Sequence, residues 1–108
     1  MVERLFVYGT LGLGRPNEHV LKNIGGKWFD ASVKGFLKQE GWGAAMGYPA
    51  IELDDNGDEV IGFVFESANL AENWQVLDEF EGEAYKRIKQ QVMLANGKQV
   101  DAYIYALG

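Results

Sequence analysis

The segment LDEFEGEAYKR, Leu77 to Arg87, places Asp78, Glu79, Glu81 and Glu83 within a few positions of one another. A carboxyl group has one chemical use that needs no cofactor, which is to take up and return a proton. Which of these acids is suited to it depends on the surface each one faces. The spacing predicts a helix from Leu70 to Glu81, with Asn69 as N-cap and Glu72 three residues on as a variant capping box. At about 100° per residue, taking Leu70 as zero, Trp74 falls near 40°, Leu77 near −20° and Phe80 near −80°, an apolar stripe. Glu81 falls at about 20°, inside that stripe, whereas Asp78 lies at about 80° and Glu79 at about 180°. A charged carboxylate at position 81 is disfavoured by desolvation and by the negative end of the helix dipole, so its pKa should rise. That prepares it for general acid and base work near neutral pH. The open alternative is a frayed last turn in which Glu81 faces water or pairs with Lys86 or Arg87.

A second chemistry-bearing segment is VYGTLGLGRPN, Val7 to Asn17. A glycine-rich turn after a strand aims several backbone N–H groups at one anion or carbonyl oxygen, because glycine permits close approach and unusual dihedrals. Gly9 to Gly14 has Walker A spacing, but Arg15-Pro16 replaces the phosphate lysine and the magnesium hydroxyl. Gly12 and Gly14 begin GxGxxG, but Asn17 fills the last glycine position, so both nucleotide readings fall. A tight turn with no ligand stays open on the residues alone. Other constellations carry less. DDNGDE resembles a calcium loop, yet the register that puts Gly57 at position six puts Phe63 where the bidentate glutamate belongs, leaving a solvated hairpin turn. A Ser-His-Asp triad would need His19 with Ser32 or Ser67 at no telling spacing. Trp28, Trp42 and Trp74 suit either a sugar face or the core, with Trp74 on the helix stripe, and Tyr48 beside Pro49 suits a pocket wall or, better, a strand start beside a turn. Paired-carboxylate glycoside hydrolysis is disfavoured because Glu79 points away from Glu81 on the wheel.

These residues must be held by one domain, 1–108, since 108 residues with 47% hydrophobic and 24% charged content suffice for one core and not two. Lys and Arg total 10 against 16 Asp and Glu, a net charge of −6 that repels a phosphate backbone, so nucleic acid is an unsuitable partner. Zero cysteines and one histidine leave no thiolate nucleophile, disulfide, or multi-histidine metal centre, and no cofactor or metal is expected. No window approaches the roughly 18 apolar residues of a membrane span, nor does the start resemble a secretory signal, so a cytoplasmic location without membrane attachment is expected. Leu5 to Tyr8 reads as a strand buried on both faces, and a short helix from Pro16 or Asn17 ends at Gly25-Gly26. Strands are expected between Trp28 and Tyr48. Two antiparallel hairpins are expected, Tyr48–Leu53 with Val60–Glu66 around DDNGDE, and Ile88–Leu94 with Val100–Leu107 around ANGK. The fold class is α+β, a small mixed, mostly antiparallel barrel-like sheet with two flanking helices.

Taken together, VYGTL near the start and LDEFEGEAYKR late in the chain resemble the gamma-glutamyl cyclotransferase family, in particular its small one-domain branch of gamma-glutamylamine cyclotransferase-like proteins. GRPNEHVL, GYPAI, and Tyr85 followed two residues later by Arg87 add to the likeness. The resemblance implies a small barrel with flanking helices. It implies a catalytic glutamate at the EG step, Glu81, and a glutamyl-binding turn formed by Tyr8, Gly9, Thr10 and Leu11. Thr10 stands where many members have serine, which retains the hydroxyl. Tyr85 inherits the place of an active-site tyrosine. The implied reaction cyclises a gamma-glutamyl amine or amino acid to 5-oxoproline and releases the amine. The competing expectation is a non-catalytic module that binds a small carboxylated ligand in the same pocket.

Overall fold

The computed structural model describes residues 2–8, 18–38, 50–81 and 85–107. Chain order is β1 (Glu3–Val7), α1 (Glu18–Ile24), β2 (Lys27–Lys38), β3 (Ala50–Leu53), β4 (Asp58–Ser67), a single 3-10 turn (Leu70–Glu72), α2 (Trp74–Glu81), β5 (Tyr85–Leu94) and β6 (Gln99–Leu107). Antiparallel pairing runs from β1 to β4, β4 to β2, β2 to β5 and β5 to β6. A parallel pairing of β6 with β1, Leu5 to Tyr103 and Phe6 to Ile104, closes the ring. β3 is the extra strand, antiparallel on the far end of β2 and bridged to β6 through Ile51 and Ala106. The expected small mixed barrel with two helices is therefore present.

Alternation divides the apolar residues between two surfaces. Phe6, Val33, Ile51, Val64, Val92 and Ile104, one or more from every strand, fill the barrel. Leu5, Val7, Phe65 and Tyr105 face outward and are covered by Leu21 of α1 and by Leu70 and Leu77. Because β1 is paired on both edges and covered on both faces, Leu5, Phe6 and Val7 are all buried, which is why its sequence is apolar without interruption. β6 shows the period directly: Ala102, Ile104 and Ala106 lie inside, Tyr103 and Tyr105 outside.

Two expectations are corrected. The DDNGDE segment does not close a hairpin, because β3 and β4 do not pair with each other; they flank β2, whose Gly35 is opposite both Leu53 and Asp58. The turn carries the chain across β2 at Gly35, and Asp54 N–H donates to Lys34 O to hold it there. The glycine at 57 is required by crowding, since a Cβ there would lie 2.6 Å from the Gly35 backbone. ANGK does close a hairpin. Gly97 has φ +89°, and its N–H donates to Leu94 O, a type I turn followed by a left-handed residue. The second correction is to the helix predicted over 70–81. Its first turn is 3-10, and α2 proper starts at Trp74, with Leu77 N–H donating to Asn73 O. Asn69 makes no side-chain cap; its amide instead donates to Ile24 O at the end of α1, tying the two helical segments together.

Candidate active site

Tyr8 follows β1 directly and its hydroxyl has a defined place in the barrel. It donates to Tyr105 O at 2.5 Å and accepts from Ile51 N–H at 3.1 Å. The ring also stacks on Phe6 with centroids 6.3 Å apart. One side chain thus ties the end of β1 to β6 and to the start of β3, directly before the glycine-rich segment of the sequence. Gly9, Thr10 and Leu11, which with Tyr8 make up the expected glutamyl-binding turn, lie outside the described residues, as do Trp42, Tyr48 and Glu83.

Glu81 is the last residue of α2; its backbone is described and its side chain lies outside the described residues. Helix register puts position 81 one turn after Leu77, which is fully buried. Trp74 and Phe80 pack against the same outer cluster, and Glu79 is exposed, as the wheel requires. Tyr85, the second tyrosine of interest, opens β5 opposite Leu107 and packs half-buried on that cluster.

The residue that links Tyr8 to α2 is one that sequence reasoning missed. Tyr105 is 4% exposed, and its hydroxyl donates to Asp78 Oδ1 at 2.6 Å. Arg87, opposite Tyr105 in the β5–β6 register, reaches the same carboxylate, Nε to Oδ1 at 3.1 Å and Nη2 to Oδ2 at 3.4 Å. Its guanidinium lies 4.4 Å from the Trp74 ring centroid and 5.3 Å from that of Tyr103, a cation held over two aromatic faces. Arg87 is therefore engaged by Asp78. Two signals were present in the sequence: Asp78 sits at the edge of the apolar stripe, and the tyrosines at 103 and 105 alternate with the small or branched residues 102, 104 and 106.

Other candidates resolve differently. Trp28 is half-buried, tilted against Phe65 at 4.9 Å and edge-on to Phe63 at 6.1 Å, a packing role. Asp54 and Asn56 are joined in an Asx turn, Asn56 N–H to Asp54 Oδ1 at 2.9 Å. Among the described residues no group of three or more His, Cys, Asp or Glu side chains is arranged to hold a metal ion. No helix among the described residues is long and apolar enough to cross a membrane. A recess of about 270 Å³ lined by Ser32, Lys34, Glu59 and Gln91 opens at the β2–β5 seam, and none of Tyr8, Asp78, Tyr85 or Tyr105 lines it.

The family model described as gamma-glutamyl cyclotransferase, AIG2-like, matches residues 5–108. Among solved structures, an AIG2-like protein from mouse is similar at a TM-score of 0.77 and 25% identity, over 99% of this chain and 78% of that one. YkqA from Bacillus subtilis is similar at a TM-score of 0.75 and 29% identity, over all of this chain and 36% of that one, so this chain spans about a third of its length. A structure described as a gamma-glutamyl cyclotransferase shares the fold at a TM-score of 0.75 and 24% identity, over 100% of this chain and 68% of that one. No curated protein matches by sequence. With the family match running from the first strand to the last residue, over the barrel and helices just described, the chain belongs to the gamma-glutamyl cyclotransferase, AIG2-like family.

Proposed function

We propose that the protein cyclises a gamma-glutamyl amine or gamma-glutamyl amino acid to 5-oxoproline and releases the amine, with Glu81 as the general acid and base. In such a substrate the free α-amine is placed to close a five-membered ring on the γ-carbonyl carbon, but near neutral pH it is an ammonium ion and cannot attack. The Glu81 carboxylate takes one of its protons. The nitrogen then bonds to the γ-carbonyl carbon, and the oxyanion that forms is held by N–H groups of the turn at Gly9, Thr10 and Leu11. As the bond from that carbon to the departing nitrogen breaks, Glu81 returns its proton to the leaving amine. The ring nitrogen loses its surplus proton to solvent, which leaves a neutral lactam and a carboxylate ready for another cycle. Tyr8 and Tyr85 border the substrate in this reading, and holding it curled contributes by proximity, an effect reaching roughly 7–11 kcal/mol in well-oriented intramolecular reactions. The chemistry asks for no metal, thiol or nucleotide.

The observation that carries the reading is convergence on β6. The residue before the glycine turn bonds to Tyr105 O, and the helix that ends at Glu81 bonds to the Tyr105 hydroxyl through Asp78. Two segments far apart in sequence are thereby anchored to the same residue. Membership of a cyclotransferase family over residues 5–108 supports the reaction type. A screen of gamma-glutamyl dipeptides, gamma-glutamyl-ε-lysine and glutathione, followed by detection of 5-oxoproline, tests it. Product from at least one of them is expected. Saturable binding of these compounds without product over long incubation would favour a binding module instead.

A further inference from the structure

Tyr105 does more than fill space. Its backbone carbonyl accepts the Tyr8 hydroxyl at 2.5 Å, and its own hydroxyl donates to Asp78 Oδ1 at 2.6 Å. Tyr8 is the last residue before the glycine-rich segment, and Asp78 lies three residues, close to one helical turn, before Glu81. Among the described residues, Leu77, Phe80 and Trp74 supply the apolar contacts of α2, and apolar contact is non-directional, so it constrains the roll and slide of a helix less sharply than a hydrogen bond does. Asp78 adds direction. Its carboxylate is gripped from one side by the Tyr105 hydroxyl and from another by Arg87, which is itself clamped between Trp74 and Tyr103.

Stability alone is a weak reason for this arrangement. The Asp78 side chain is 43% exposed and that of Arg87 26%, so the ion pair is open enough to water for its contribution to be small. The phenol-to-carboxylate bond is of the short, charge-assisted kind that fixes geometry. Displacement of a reacting group by about 1 Å can cost about 100-fold in rate. We infer that Asp78 and Tyr105 are positioning residues, which set the distance and the roll of the α2 end relative to Tyr8 at the end of β1. This inference rests on the reading of Glu81 as the acid–base group.

The test compares Tyr105→Phe, Asp78→Ala, Asp78→Asn and the double variant Tyr105→Phe/Asp78→Ala with the parent, at a temperature where circular dichroism shows each to be folded. For Tyr105→Phe and Asp78→Ala, kcat for a turned-over gamma-glutamyl amine should fall about 10- to 100-fold, with KM changed far less. Asp78→Asn should recover part of the loss, because its amide oxygen still accepts from Tyr105. The double variant should be little worse than either single one, since both remove the same bond. A purely structural role would lower the melting temperature and leave kcat of the folded protein unchanged, and that result overturns the inference. Turnover by Glu81→Gln, run in parallel, separates the two levels: full activity there defeats the acid–base reading, whereas inactive Glu81→Gln beside fully active Tyr105→Phe defeats only the positioning role. An additional readout needs no turnover. The backbone amide resonances of residues 9–11 and 79–82 should shift together in Tyr105→Phe, and unchanged resonances at both places would also overturn the inference.

Discussion

Replacing Tyr8 by phenylalanine removes one oxygen atom and, with it, the partner of two main-chain groups. In the parent that oxygen donates to Tyr105 O and accepts from Ile51 N–H. Ile51 is fully buried and Tyr105 is 4% exposed, so water does not readily replace the lost partner at either residue. Losing a hydrogen bond to a buried polar group costs about 1–3 kcal/mol, and the two losses together about 2–4 kcal/mol once partial relaxation around the half-buried Tyr8 is allowed for. Unfolding entropy scales at roughly 2.1 cal/mol/K per residue, which for 108 residues makes each kcal/mol worth about 4.4 °C. The melting temperature of Tyr8→Phe should therefore drop by about 9–18 °C, read by circular dichroism, with a matching fall in the urea midpoint at unchanged slope. A variant that melts within about 2 °C of the parent would refute the reasoning, because the hydroxyl would then be serving something other than the fold. Were its main duty to touch substrate, KM would rise while the melting curve stayed in place.

Shortening Leu77 to alanine removes a fully buried side chain between α2 and the sheet, and a loss of about 2–5 kcal/mol is expected in chemical denaturation; a cost below about 1 kcal/mol would mean that α2 is not anchored there. Gly97→Ala meets no neighbouring atom within 4 Å but must hold φ +89°, so it should cost only the left-handed penalty, roughly 1–2 kcal/mol. Gly57→Ala must instead push apart backbone from Gly35, 2.6 Å from its new Cβ, and should be the more damaging of the two glycine substitutions; the reverse order in paired melts would contradict the described crossing of β2 at Gly35.

Much of this architecture was readable because two local signals are strong. The uninterrupted apolar run at Leu5–Val7 demanded burial on both faces, and β1 provides it by lying between β4 and β6 beneath the helices. Asn96-Gly97 demanded a left-handed residue, and Gly97 adopts that conformation. The same dipeptide at 56–57 misled, since neither residue has positive φ and the glycine answers to a backbone packed against it from another strand. Local sequence does not record such long-range crowding. The 3-10 start of the helical segment was likewise hidden, because Asn69 is drawn off to Ile24 O by tertiary contact. For the site, helical spacing singled out position 81 on its own. It could not show that Asp78, just off the stripe, meets Tyr105 and Arg87, because those partners arrive from β6 and β5 only after the sheet has closed.

The proposed cyclisation depends on one carboxyl group that takes a proton from the substrate ammonium and gives one back to the departing amine. Glu81→Gln keeps the size and shape of that side chain and removes its ability to do either, so release of 5-oxoproline from a substrate the parent turns over is the direct measurement. The account predicts a folded protein, with a melting temperature close to the parent's, in which ring product falls to the uncatalysed rate. Release at the parental rate by the same folded variant would contradict it.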